Sequence, residues 1–426
     1  MWLTTENIQE SNSKYVAHHR KSFDALASQL DSEGISVIKL LSKIRSFQIA
    51  VPSWALGAGG TRFGRFGIGG EPRSLEEKIE DIGLLAKLTK STDAVSLHIP
   101  WDIPSDYEAI IQLAKIHNIG FDAVNSNTFQ DYGQEKSYKF GSLSHHDPKV
   151  REQAVAHNRQ VIEVGEKLGS KGLTVWLADG SNFPGQQSFR RALDNTFESL
   201  QNIYAAMPED WKLLLEYKPY EPNFYSTVIP DWGTSHLLCR QLGDRAKVLV
   251  DLGHHLPNTN IEQIVGILLG QNQLAGFHFN DSKFGDDDLT TGSIKPYQLF
   301  LIFLELVAGT EDGCQTWESI SWMIDASHNI KDPLEDLLQS LEAILIAYAQ
   351  ALSVDRKALE QAQEENDVVK AQEILQNAFR TDVRALVAEA RLRSGAALNP
   401  VELYRNLSVR KNLIGERGLK TLATGL

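Results

Sequence analysis

Cysteine is almost missing from this chain: Cys239 and Cys314 are the only two in 426 residues. That excludes a disulfide framework and a metal site built from thiolates. Basic residues are also in deficit, with 42 Lys and Arg against 55 Asp and Glu, for a formal net charge of -13. Such a balance argues against general nucleic-acid binding, which needs a basic surface, and is compatible with a site that gathers divalent cations. Long apolar runs are absent, and none approaches the roughly 20 residues of a membrane span. The opening "MWLTTENIQESNSKYVAHHRKSF" lacks the apolar core of a signal peptide, so a cytoplasmic protein without a membrane or nucleic-acid partner is expected. No repeat and no low-complexity segment stands out. What remains is ordinary globular composition, at a length that can bury a large core.

What is present recurs at intervals. Short apolar, β-branched runs stand at 47–54, 94–101, 120–127, 172–180, 211–219, 247–255, 274–281 and 321–328, with amphipathic patterns such as "DYEAIIQLAKIHNIG" between them. Strands alternating with helices in this way predict an α/β fold, a closed parallel (β/α)8 TIM barrel, over residues 47–330. Residues 1–46 read as an N-terminal helical segment and 331–426 as a C-terminal helical extension. So long a tail fits either extra packing around the barrel or subunit contact. A doubly wound sheet is the competing fold, but no strand leads into a GxGxxG turn or a GxxxxGKS/T loop.

Almost every strand ends in polar or aromatic residues: Trp54, His98, Asn125, Trp176 and Asp179, Glu216 and Lys218, Asp251 and His254, His278 and Asp281, Asp325 and His328. These are C-terminal ends, the face on which barrel enzymes carry their sites. Strand alternation turns Glu216 and Lys218 inward together and Tyr217 outward. Taken singly, each motif has a bland reading. Glu-x-Lys is often a salt bridge, Asp251 and His254 could cap a strand, "DDD" at 286–288 could be a solvated turn, and any one Trp is core. Taken together they carry more. Glu216, Asp251, His278 and Asp325 come from adjacent strands, and carboxylates crowded at a desolvated barrel mouth repel one another unless cations neutralise them. Oxygen-rich sets with imidazoles suit Mn²⁺, Mg²⁺ or Co²⁺. His254, Asp286 and Asp288 make a second triad, with Asp251 placed to bridge two ions. Two cations beside a lysine fit aldose–ketose interconversion of a small polyol without an organic cofactor. Lys218 would then stabilise charge on the C1 oxygen, and Trp54, Trp101 and Trp176 would wall the carbon face.

The runs "EYKPYEPNFYSTVIPDWGTS", "VDLGHHLPNTNIEQIV", "GFHFNDSKFGDDDLTTG" and "MIDASHN", with "GTRFGRFG" and the tail segment "AYAQALSVDR", resemble L-rhamnose isomerase of the bacterial, broad-specificity type over most of the chain. The ligand order is also similar to that of xylose isomerase. The resemblance implies one cation held by Glu216, Asp251, His278 and Asp325, and a catalytic one held by His254, Asp286 and Asp288. Manganese is the family's usual metal. It further implies catalytic roles for Lys218, Asp251, His254 and Asp286, a sugar pocket of Trp54, His98, Trp176 and Lys218, and a homotetramer. The glycine-rich loop at 55–70 would act as a lid from which Phe63 reaches a neighbouring subunit's sugar; a mobile surface turn is the alternative. Tyr217 departs from the family, where histidine is expected, but alternation turns it away from the sugar. The expected reaction is L-rhamnose to L-rhamnulose by a metal-assisted hydride shift between C2 and C1, with an enediol route through a carboxylate base as the variant. The alternatives are the same chemistry on another aldose such as D-allose, a metal-dependent phosphodiesterase, which the acidic charge disfavours, and a non-catalytic sugar-binding barrel.

Overall fold

Eight parallel strands build the centre of the molecule in the computed structural model, which describes residues 3–57, 66–221, 225–328 and 330–420. They are β1 (Val51–Pro52), β2 (Ala94–Ser96, continued by His98–Ile99), β3 (Gly120–Phe121, continued by Val124–Ser126), β4 (Gly172–Val175), β5 (Lys212–Glu216), β6 (Ala246–Asp251), β7 (Leu274–Phe279) and β8 (Ser321–Ile324). Each pairs with the next, and Ala50 bridges Met323 to close the ring into the expected TIM barrel. The strands are shorter than the apolar runs that announce them. Pro52 has no N–H to extend the β1 ladder, and the chain turns at once into a single 3-10 turn, Ser53–Leu56.

Helices α1 (Thr5–Ser32) and α2 (Val37–Ser46) precede the barrel. Around it run α3 (Leu75–Thr89), α4 (Tyr107–His117), α5 (Pro148–Leu168), α6 (Phe189–Tyr204), α7 (Trp232–Leu242), α8 (Ile261–Gly270), α9 (Pro296–Glu311) and α10 (Pro333–Leu352). Most start on a side-chain cap, as where Asp147 accepts from Lys149 N–H and Asp332 from Leu334 N–H. Beyond them come α11 (Arg356–Glu364), α12 (Val368–Arg380), α13 (Arg384–Arg393), α14 (Pro400–Asn406) and α15 (Val409–Arg417). The two chain ends pack together: the Asn12 amide donates to Ala396 O and accepts from Leu398 N–H, and His19 meets Glu389 at 2.7 Å. Among the described residues, no single helix is long and apolar enough to cross a membrane.

Alternation decides what the barrel presents where. Leu213, Leu215, Val248, Val250, Phe277 and Phe279 belong to the main core against the helices. Ala123, Leu214, Leu249 and Ala275 form a small buried cluster of their own. Glu216 and Asp251 lie two residues further along β5 and β6 than Leu214 and Leu249, on the same face, so an apolar floor underlies the acidic mouth.

Phe47, 1% exposed, ties the end of the N-terminal segment to this core. Its ring meets Trp317 at 4.9 Å, Tyr348 at 5.0 Å, Trp322 at 5.5 Å, Phe303 at 6.2 Å and Phe279 at 6.5 Å, all edge-on. Phe47→Ala is expected to lower unfolding stability by about 3–5 kcal/mol, from lost burial and the cavity left behind. Urea titration checks this, and a loss under about 1 kcal/mol would mean that the segment is not part of the cooperative core.

Candidate metal centre

Glu216 and Asp251 end β5 and β6, His278 is the last residue but one of β7 and Asp325 follows β8; one ligand atom from each lies within 4.8 Å of all the others. Register explains the gathering, because Asp251 stands opposite His278, and His278 opposite Met323, two residues before Asp325. The Nδ1 of His278 lies 3.4 Å from Glu216 Oε1, 3.5 Å from Asp251 Oδ2 and 3.5 Å from Asp325 Oδ2. No hydrogen bond is completed at that buried nitrogen. A buried imidazole nitrogen that faces three carboxylate oxygens at 3.4–3.5 Å, with none aligned for a full hydrogen bond, leaves between them a cation-sized gap lined with donors. The residues fit a divalent ion.

Electrostatics agree with the geometry. Burial pushes the Glu216 carboxyl up, but His278 and His254 outweigh it and hold it at about 2. Burial disfavours charge on both imidazoles, yet His254 is raised well above its ordinary value by Asp251, Asp286 and Glu216, and His278 by Glu216, Asp251 and Asp325. Asp288 is pushed well above the usual carboxylate range by burial and by Asp286, Asp325 and Asp251, and Asp325 is raised mainly by burial. Without a cation, protons do the neutralising.

The second predicted set lies alongside but is held differently. His254 Nε2 meets Asp286 Oδ1 at 3.2 Å, and Lys218 Nζ donates to Asp286 Oδ2 at 2.5 Å. Asp288 accepts instead from Ser327 Oγ at 2.9 Å. Asp287 faces away, accepting from the N–H groups of Lys283, Phe284 and Gly285, and this turn sets both neighbours in left-handed conformations, φ 55° for Asp286 and 48° for Asp288. The acidic run is therefore one structural carboxylate between two that face the mouth.

On the far side an aromatic arc forms. Trp54 Nε1 donates to Asp325 Oδ1 at 2.9 Å, and its ring lies 5.3 Å from His98. His98 meets Trp101 at 4.7 Å and Phe129 at 5.5 Å, Phe129 meets Trp176 at 5.0 Å, and Lys218 Nζ stands 5.1 Å above the Trp176 ring. Phe63 lies outside the described residues. Tyr217 points away from the mouth, bonded to His255 Nε2 at 2.6 Å.

Several polar strand ends are scaffold. Asp179 accepts from the N–H and Oγ of both Ser142 and Ser144; Asp281 accepts from Ser282, Ile294 and Lys295 N–H; His328 pairs with Asp336 at 2.7 Å; Asn125 donates to Ser96 Oγ. Sequence reasoning missed Phe129, which completes the arc, Ser327, and Asn280, whose amide donates to Asp251 at 3.0 and 3.2 Å. Asn280 was legible in principle: it sits two residues after His278, on the same face.

The profile described as xylose isomerase-like TIM barrel matches residues 87–328 of this chain, more than half of it. The chain belongs to that family. This xylose isomerase-like barrel is 49% identical over 424 residues to a protein of Mesorhizobium japonicum named "probable sugar isomerase", covering 99% of this chain and 98% of the relative. A like-named protein of Rhizobium meliloti is 49% identical over 418 residues, 98% and 97% of the two chains. Xylose isomerase of Thermus thermophilus is 28% identical over 181 residues, 40% and 45% of the two chains. Among solved structures, 3-keto-D-glucoside 4-epimerase of E. coli superposes with a TM-score of 0.52 at 13% identity, covering 70% of this chain and 99% of that one, a likeness of fold.

Because His254 and His278 are held protonated and each must lose its proton to ligate, Mn²⁺ added to chelator-stripped protein is expected to release protons. Affinity should then rise with pH and go on rising above the ordinary histidine range, because both imidazoles hold their protons more tightly than a free one. Calorimetry in buffers of different ionisation enthalpy measures both. Binding without proton release and a flat pH profile would place the ion elsewhere.

Proposed function

We propose that this chain is a cytoplasmic, divalent-metal-dependent aldose–ketose isomerase that interconverts L-rhamnose and L-rhamnulose, with other aldoses such as D-allose open to the same chemistry. The observation that carries the reading is the setting of Lys218. Its ammonium is buried between Asp286 and the Trp176 face, at the edge of the carboxylate–imidazole cluster. A barrel that merely bound sugar has no use for a desolvated cation there. The sugar isomerase names of relatives that align over nearly the whole chain favour the same class.

In this reading Glu216, Asp251, His278 and Asp325 hold one cation, and His254, Asp286 and Asp288 a second, with Asp251 between them. Manganese is the proposed metal, and cobalt or magnesium suit the same donors. When bound, the cations polarise the C1 and C2 oxygens of the open-chain aldose. The chain's own groups do the rest. Lys218 donates to the C1 oxygen as negative charge grows there, and the pairing with Asp286 fixes its Nζ before substrate arrives. The arc from Trp54 to Trp176 covers the carbon face and keeps water out, and His98, set between Trp54 and Phe129, binds a ring or chain hydroxyl. A direct hydride shift from C2 to C1 needs no base at carbon, its one proton passing from the C2 hydroxyl to the C1 oxygen, whereas an enediol route needs a carboxylate to take the C2 proton. Deuterium at C2 separates them: retention in the ketose supports the shift, and washout supports the enediol. A homotetramer is part of the proposal, checked by light scattering.

Ketose should form from L-rhamnose with purified protein, disappear on chelation and return with Mn²⁺. Lys218→Met is expected to lower kcat by about a hundredfold or more at unchanged metal content. No ketose from rhamnose or from a panel of aldoses, with ions bound, would overturn the isomerase reading.

A further inference from the structure

The barrel closes at a thin seam. Between β1 and β8 the main-chain bonds are those of one bridge, Ala50 N–H to Trp322 O at 2.7 Å and Ile324 N–H to Ala50 O at 3.1 Å. Yet this seam carries an edge of the candidate site. Trp54, just after β1, donates to Asp325, just after β8, and Ser327 holds Asp288 from the same side.

Gly69, ahead of α3, and Asp332, ahead of α10, both meet α15. Gly69 and Gly70, at φ 84° and 73°, lie against the end of α15 and the residues after it: a Cβ on Gly70 would sit 2.7 Å from Ile414 N and 2.8 Å from Leu413 Cβ, and one on Gly69 3.0 Å from Leu419 Cα. Gly70 N–H donates to Gly418 O at 2.9 Å, and Arg417 donates to Gly70 O at 3.2 Å while gripping Asp81 of α3 with two bonds of 2.8 Å. Arg410 reaches both sides of the seam. Its Nη1 donates to Gly69 O at 3.2 Å, and its Nε and Nη2 donate to the Asp332 carboxylate at 3.0 and 2.7 Å. Asp332 caps α10, the helix after β8, and accepts from Tyr404 O–H at 2.8 Å. A planar guanidinium that spends two donors on a carboxylate and a third on a carbonyl fixes their separation, which a lysine cannot do.

We propose that Arg410 is a positioning residue for the β1–β8 edge of the site. Through Asp332 it steadies α10, against which the turn carrying Trp54 packs and whose Asp336 holds His328 just beyond Asp325, so the C-terminal extension takes part in cation and sugar binding as well as in packing. The sugar part rests on the isomerase reading; the cation part does not.

The test uses the full chain with Arg410→Met, which keeps the stem's bulk and removes every one of these bonds, and Arg410→Lys, which keeps the charge. Mn²⁺ affinity is measured by titration of stripped protein, KM and kcat with L-rhamnose, and the thermal midpoint alongside. For Arg410→Met the cation should bind several-fold more weakly and KM should rise about tenfold, with kcat at saturation within about twofold, since a small misplacement remote from the chemistry weakens binding of this order. Arg410→Lys should fall between. A lower midpoint with wild-type cation affinity and wild-type KM would reduce Arg410 to a packing residue and overturn the proposal. Should Arg410→Met not fold, Asp332→Asn, which keeps the α10 cap and weakens the paired bonds, is expected to shift both readouts the same way, and wild-type values there overturn it equally. If no form of the protein turns over sugar, the isomerase reading fails while the cation titration still decides the role of Arg410.

Discussion

Carboxylates crowded at the mouth of a closed barrel set the terms for the rest of this structure. Glu216, Asp251, Asp286, Asp288 and Asp325 are drawn together over an apolar floor, where the repulsion between them is poorly screened. Imidazoles at positions 254 and 278 and the ammonium of Lys218 supply positive charge, and the shifted proton affinities of the whole group register how closely the balance is kept. Divalent cations relieve such repulsion more completely, and the four side chains gathered around the Nδ1 of His278 could hold one.

Such a cluster stays open only if its neighbours cannot collapse onto it. A second set of polar residues, just beyond the strand ends, serves that purpose. Asp281 and Asp287 gather N–H groups of their own loop, Asp179 gathers those of Ser142 and Ser144 in the loop after β3, and His328 with Asp336 anchors the segment after β8. Each oxygen of these three carboxylates has a donor from the protein, most often a main-chain N–H. That satisfaction steadies the loop after β7, which carries Asp286 and Asp288.

The ends of the chain extend the same logic outward. α1 packs on α13 and the segment after it through His19 and Asn12, and α15 ties the α10 cap to Gly69 and α3 with Arg410 and Arg417. A barrel whose first strand is two residues long gains from such external ties, because its own ladder supplies few bonds there.

By itself the sequence determined the alternation of strand and helix, the inward face of each strand, and the identity of the four residues that converge from β5 to β8. All of these follow from local rules, a period of two along a strand and a right-handed order of strands around a barrel, so they can be read without knowing any long-range contact. The paired carboxylates flanking Asp287 were legible for the same reason. Only the tertiary structure decided which strand-end residues are site and which are scaffold. Asp179 looks like a ligand until Ser142 and Ser144, more than thirty positions earlier, are seen to fill its oxygens. Phe129, Ser327 and Arg410 carry no signal in their own neighbourhoods, because each acts on a partner distant in sequence. The choice of partner for a polar group depends on the packing of the whole chain, and no short-range pattern encodes it.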